Sequence, residues 1–106
     1  MPWRIQTTKA ADRDFARILR DSEQKFGRAQ AEIYQRTLRA AFDELEGGPE
    51  VLGSQSKAAV RPGLRTLHVA RNNCSGRHML VYAAQKHNVI LVLRILHDAM
   101  DLARHI

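Results

Sequence analysis

Apolar residues recur along this chain with two different periods. From Lys9 to about Phe26 they follow a helical one. Ala11, Phe15, Ile18, Leu19, Ser22 and Phe26 share one face, and Asp12, Arg13, Arg17, Arg20 and Asp21 lie mostly off it. Gly27 supplies the left-handed residue that ends such a helix. A second helix is predicted from Arg28 to about Glu46, with Ala31, Tyr34, Leu38, Ala41, Phe42 and Leu45 as its apolar face and Gly47, Gly48 and Pro49 as its stop. So short a link predicts an antiparallel helical hairpin.

The other period is two. Trp3, Ile5 and Thr7 alternate with Arg4, Gln6 and Thr8, which reads as a short strand whose Thr7 or Thr8 caps the first helix. After the helices, Arg65 to Arg71 and His78 to Ala84 read as strands around an Asn72–Gly76 turn. Gln85 to His87 turns the chain into Val89 to Leu93, an unbroken, largely β-branched run of the kind covered on both faces of a sheet. The connection from Gly48 to Gly63 has no period and carries Lys57 and Arg61, and Ala99 to Ile106 reads as a short helical turn. The expected fold is α+β: an N-terminal strand, an antiparallel helical hairpin, then a three-stranded antiparallel meander with a short C-terminal helix, all in one domain spanning 1–106.

Composition adds less. The chain of 106 residues is the size of one compact domain. No segment has the apolar length of a membrane span, and MPWRIQTT lacks a signal-peptide core, so the expected location is cytoplasmic. Cys74 is the single cysteine, which fits a reducing compartment. A net charge of +6 and a pI of about 10.2 favour an acidic partner, protein or nucleic acid, although the arginines are spread and form no basic tail.

Candidate chemistry gathers in Asn88–Asp101, NVILVLRILHDAMD. Arg94 stands at the end of the buried run, where a charge must be paired or used, and Asp98 is its expected partner. Arg94 and His97 are placed at the lip of a working surface. His68 and His78 face one another if the first hairpin turns near Asn73, but two histidines fall short of a zinc ligand set, and no metal or other cofactor is expected. There is no Gly-rich phosphate loop, cysteine cluster or GxSxG elbow.

In this order the chain resembles the ParE/RelE superfamily of toxins from bacterial type II toxin–antitoxin systems, and the ParE branch most. The resemblance rests on Ile18 to Ser22, Phe26-Gly27, Arg61-Pro62-Gly63-Leu64-Arg65, His78 followed by Leu80-Val81-Tyr82, and above all Arg94-Ile95-Leu96-His97-Asp98-Ala99-Met100-Asp101. It implies a ParD-like antitoxin as partner, whose C-terminal segment folds along the toxin. For ParE-type members it implies poisoning of DNA gyrase through protein contact, with no catalytic site and with Arg61, Arg65, Arg94, His97, Asp98 and Arg104 as interaction or structural residues. RelE-type members are instead ribosome-dependent endoribonucleases of messenger RNA. They are similar in a strand ending Leu-Val-Tyr, but typically carry an arginine just before it, where this chain has Met79. Ala99 stands where they have a basic residue past the last strand, and His105 where they have a C-terminal aromatic. On that alternative, Arg65 and Arg94 would hold phosphate, and His68, His78, His97 and His105 would supply acid and base. A plain basic nucleic-acid-binding module is the weakest reading, because no aromatics are interleaved on a basic strand face.

Overall fold

A computed structural model describes residues 2–106. Strand β1 (Arg4–Thr7) leads directly into helix α1 (Lys9–Phe26), and Gly27 separates it from helix α2 (Arg28–Glu44). Thr8 is the cap: its Oγ1 accepts from Ala11 N at 3.0 Å and itself donates to Leu93 O at 2.7 Å, so one hydroxyl starts the helix and ties it to the sheet. Gly27 sits at φ 90°, ψ 169°, a conformation closed to most side chains, and this lets two helices meet with one residue between them. The second helix ends two residues before its expected limit, in a 3₁₀ turn at Leu45–Gly47.

The sheet has five strands in the order β1-β5-β4-β3-β2, where β2 is Gln55–Ser56, β3 Leu64–His68, β4 His78–Gln85 and β5 Val89–His97. The meander β3-β4-β5 is antiparallel, and β1 joins β5 in parallel. Val89–Val92 therefore lies inside the sheet, between β1 and β4, as its continuous apolar character requires. The two-residue β2 within the long connection carries no periodicity by which it could be foreseen. β3 also ends earlier than Arg71, at His68.

β5 runs on to His97, so Arg94 lies within it and not at its end. Opposite Val81 and Tyr82 the pairing steps from Arg94 to Val92, leaving Leu93 as the extra residue of a bulge. The bulge resets the alternation. Val92 and Ile95 join the core under the helices with Leu38, Leu67, Leu80 and Tyr82, while Leu93 and Leu96 pack on the other face with Leu64 and Val81. That second face is covered by Leu102 and Ile106 of the C-terminal segment, which contains a 3₁₀ turn at Leu102–Arg104. Among the described residues, no helix is long and apolar enough to cross a membrane.

Candidate functional site

Two charge networks flank the C-terminal half of β5. The first is centred on Asp14, an acidic residue on the apolar face of α1 that is 1% exposed. Because β1 ends at Thr7, the edge of β5 beyond Val92 has no strand beside it. Asp14 takes that place: its Oδ2 accepts from Ile95 N at 2.9 Å and from Arg94 Nε at 2.7 Å, and its Oδ1 accepts from Arg94 Nη2 at 3.0 Å and Arg17 Nη2 at 2.9 Å. Burial pushes its carboxyl upward, but the Arg94 hydrogen bonds and the Ile95 amide outweigh burial and hold it below the usual carboxylate range. Arg94 also donates to His105 O at 3.4 Å.

The expected pair between Arg94 and Asp98 is thus corrected. Residues four apart meet on a helix, but on a strand they stand about 13 Å apart. Asp98 belongs to the second network. It accepts from Arg77 Nε at 3.2 Å and Nη2 at 3.1 Å, and from His68 Nε2 at 2.9 Å, while its backbone N–H donates to Arg77 O at 2.8 Å. The Arg77 and His68 hydrogen bonds hold its carboxyl down to about 2.

The histidines pair differently from expectation too. His68 lies opposite Met79, and His78 lies opposite His97. The hairpin centres half a residue beyond Asn73, and a one-residue change of register sends a side chain to the other face. The His78 and His97 rings are 5.4 Å apart, edge to face. Tyr34 on α2 reaches His78 Nδ1 at 2.6 Å, and its oxygen accepts from Arg77 N at 3.2 Å, so the tyrosine proton points at His78. Burial, then the neighbouring His97, lower the His78 imidazolium to about 4, so the ring is neutral at pH 7.

These rings stand on the floor of an open cleft of about 830 Å³ between the helical hairpin and the end of the sheet. Ile18, Phe26, Ile95 and Met100 give it apolar walls. Phe26, expected in the core, is 69% exposed at the hairpin tip.

The residues singled out from sequence do not all converge. His97 and Asp98 adjoin, and His68 and His78 lie nearby. Arg65 is elsewhere, donating to Pro49 O at 3.0 Å and Ser54 Oγ at 2.8 Å to fix the long connection. Arg61 is exposed on that connection, Arg104 is paired loosely with Asp101 at 3.7 Å, and His105 meets Arg94 through its carbonyl only. Asp14, Tyr34 and Arg77 were not foreseen. Asp14 carried a signal, a carboxylate between Ala11 and Ile18 on a buried stripe. The phenol of Tyr34 was hidden in a face read as core.

The family model for the ParE toxin of type II toxin–antitoxin systems, parDE, matches residues 5–102. Toxin ParE1 of Mycobacterium tuberculosis, in the CDC 1551 and H37Rv strains alike, is 33% identical over 82 residues, covering 77% of this chain and 76% of that protein. A solved structure titled as the chromosomal ParDE TA system from P. aeruginosa superposes with a TM-score of 0.69 at 21% identity, over 90% of this chain and 95% of that one.

Proposed function

The chain belongs to the ParE toxin family of type II toxin–antitoxin systems, and on that premise we propose that it poisons DNA gyrase by binding it and is neutralised by a ParD-like antitoxin. The observation that favours this over RNA cleavage is the employment of its arginines. Arg65 and Arg94, which a ribonuclease would use to hold phosphate, are both bonded within the protein, to Pro49 and Ser54 and to Asp14. His68 has both ring nitrogens engaged, one by Asp98 and one by Ala70 N at 3.0 Å. Met79, at the position of the RelE arginine, packs in the core of the opposite sheet face, away from the cleft. What stays open is an apolar cleft lined by Arg17, Lys25 and Arg77 against one carboxylate, Asp21, a net positive setting suited to an acidic, amphipathic protein segment.

The test is a paired assay of the purified protein. Gyrase supercoiling is followed with rising toxin, and messenger RNA is followed on translating ribosomes. Loss of supercoiling with intact RNA is the expected result. RNA cleavage with normal supercoiling would overturn the proposal, and His68, His78, His97 and His105 would then be the first variants to build.

A further inference from the structure

The hydrogen bonds around His78 and His97 engage one nitrogen of each ring and leave the other without a partner. His78 Nδ1 accepts the Tyr34 proton, and His97 Nδ1 accepts from Ala99 N at 3.1 Å. Each neutral ring therefore carries its proton on Nε2. Neither Nε2 has a partner among the described residues, and the one buried side-chain polar atom without a partner there is Arg71 Nε. Both Nε2–H groups consequently reach solvent, and both rings line the cleft. Two imidazole donors lining one cleft, their ring centroids 5.4 Å apart, offer a pair of N–H groups to an anionic oxygen pair.

We propose that His78 and His97 form a carboxylate-binding site, in which their two Nε2–H groups, beside the Arg17 guanidinium, receive an aspartate or glutamate side chain from an acidic, amphipathic segment of the antitoxin. The identity of the partner rests on the reading given under Proposed function; the site itself does not. Charge argues for a carboxylate over a phosphate. Arg17 is already shared with Asp14, and Arg77 with Asp98. The remaining charged groups lining the cleft, Lys25 and Asp21, oppose one another. A single negative charge is matched here and a double one is not. The apolar walls suit a side chain carried on a hydrophobic peptide face and not a solvated sugar–phosphate backbone.

Binding would be coupled to protons. The charged and titratable groups that line the cleft with the two rings are Arg17, Asp21 and Lys25 from α1, Tyr34 from α2 and Arg77 just ahead of β4; His68 and Asp98 lie outside the cleft, with Asp98 Oδ1 at 3.5 Å from His97 Nδ1. Asp98 is held by Arg77 and His68, and Asp21 stands one helical turn from Lys25 on α1. A carboxylate arriving between the imidazoles favours their protonated forms, so affinity rises as pH falls, by up to about tenfold per pH unit for each proton taken up.

The probe is phenylpropionate, a carboxylate on an apolar body, with inorganic phosphate as comparison, titrated against the full chain while the histidine ring signals are followed by NMR. The expected result is saturable movement of the His78 and His97 signals with His87 unmoved, tighter binding at about pH 6 than at about pH 8, and weaker binding of phosphate. His97→Phe should lose about tenfold in affinity, and His97→Gln, which keeps an N–H donor, should retain most of it with a shallower pH dependence. No saturable shift, equal shifts at His87, or tighter binding of phosphate would each overturn the site. An antitoxin that binds His97→Phe as tightly as wild type would remove the site from partner recognition while leaving the toxin–antitoxin pairing intact. Absence of any antitoxin complex with the wild-type chain would overturn that pairing instead, and the phenylpropionate titration would still decide the site.

Discussion

Asp14 and Asp98 each accept from two nitrogens of one arginine, yet their surroundings give them different weight. Asp14 is almost wholly buried, and its loss leaves Arg94 Nε and Nη2 and the Ile95 amide without an acceptor. Breaking a buried pair from one side costs about 3–5 kcal/mol, so Asp14→Ala should lower the urea midpoint markedly at unchanged slope. Asp98→Ala, in a network open to water, should move it far less. Equal losses in the two variants would show that Asp14 does not hold the edge of β5. A second residue-scale expectation concerns acid. His78 is lowered from 6.5 to about 4 in the folded chain, so between those values the unfolded chain binds the extra proton. Stability is complete above pH 6.5 and falls as pH drops towards about 4. Water on the cleft side screens part of the effect, leaving about 1–2 kcal/mol. Asp14 adds a further loss only at lower pH, where its depressed carboxyl is finally protonated. Chemical denaturation from neutral to mildly acid pH should show the first loss in wild type and a flatter profile in His78→Gln.

At the scale of elements, the joint between β1 and α1 is where a small change should reach furthest. Thr8→Ala removes both the helix cap and the bond to Leu93 O, with an expected cost of about 1–2 kcal/mol. Thr8→Ser keeps the hydroxyl and should recover most of it; a serine variant as unstable as alanine would assign the effect to the lost methyl group. This joint also marks what could be read from sequence. The limits of α1, the one-glycine link and the place of Val89–Val92 inside the sheet follow from periodicity, because each rests on local pattern and burial. The course of β5 beyond Leu93 did not, since the bulge that keeps Arg94 and His97 in the strand depends on pairing with β4. The charge partners failed for the same cause. Asp14 is 80 positions from Arg94, and Arg77 is 21 from Asp98. Such contacts are set by which elements pack together, and a local rule favours the near partner. Of the candidate residues read from local pattern, His97 ends β5 and Asp98 follows it, beside the run that identified the sheet.

The whole molecule has one sheet and two unequal coverings. The helical hairpin shields one face, and the short C-terminal segment shields the other through Leu102 and Ile106. That segment also contributes the His105 carbonyl to Arg94 and places Met100 in the wall of the cleft. A chain ending at Asp98 should therefore fold with its stability lowered by on the order of 2–3 kcal/mol, and bind an apolar dye over the uncovered Leu64, Val81 and Leu96. Its cleft would keep His78 and His97. If the segment only covers the sheet, toxicity should return when the truncated chain is assayed well below its melting temperature. If it forms part of the surface that meets the target, toxicity should stay lost at a temperature where the truncated chain is folded. Measuring growth arrest and melting on the same truncated chain separates the two, because loss of cover acts through the folded fraction and loss of a contact does not.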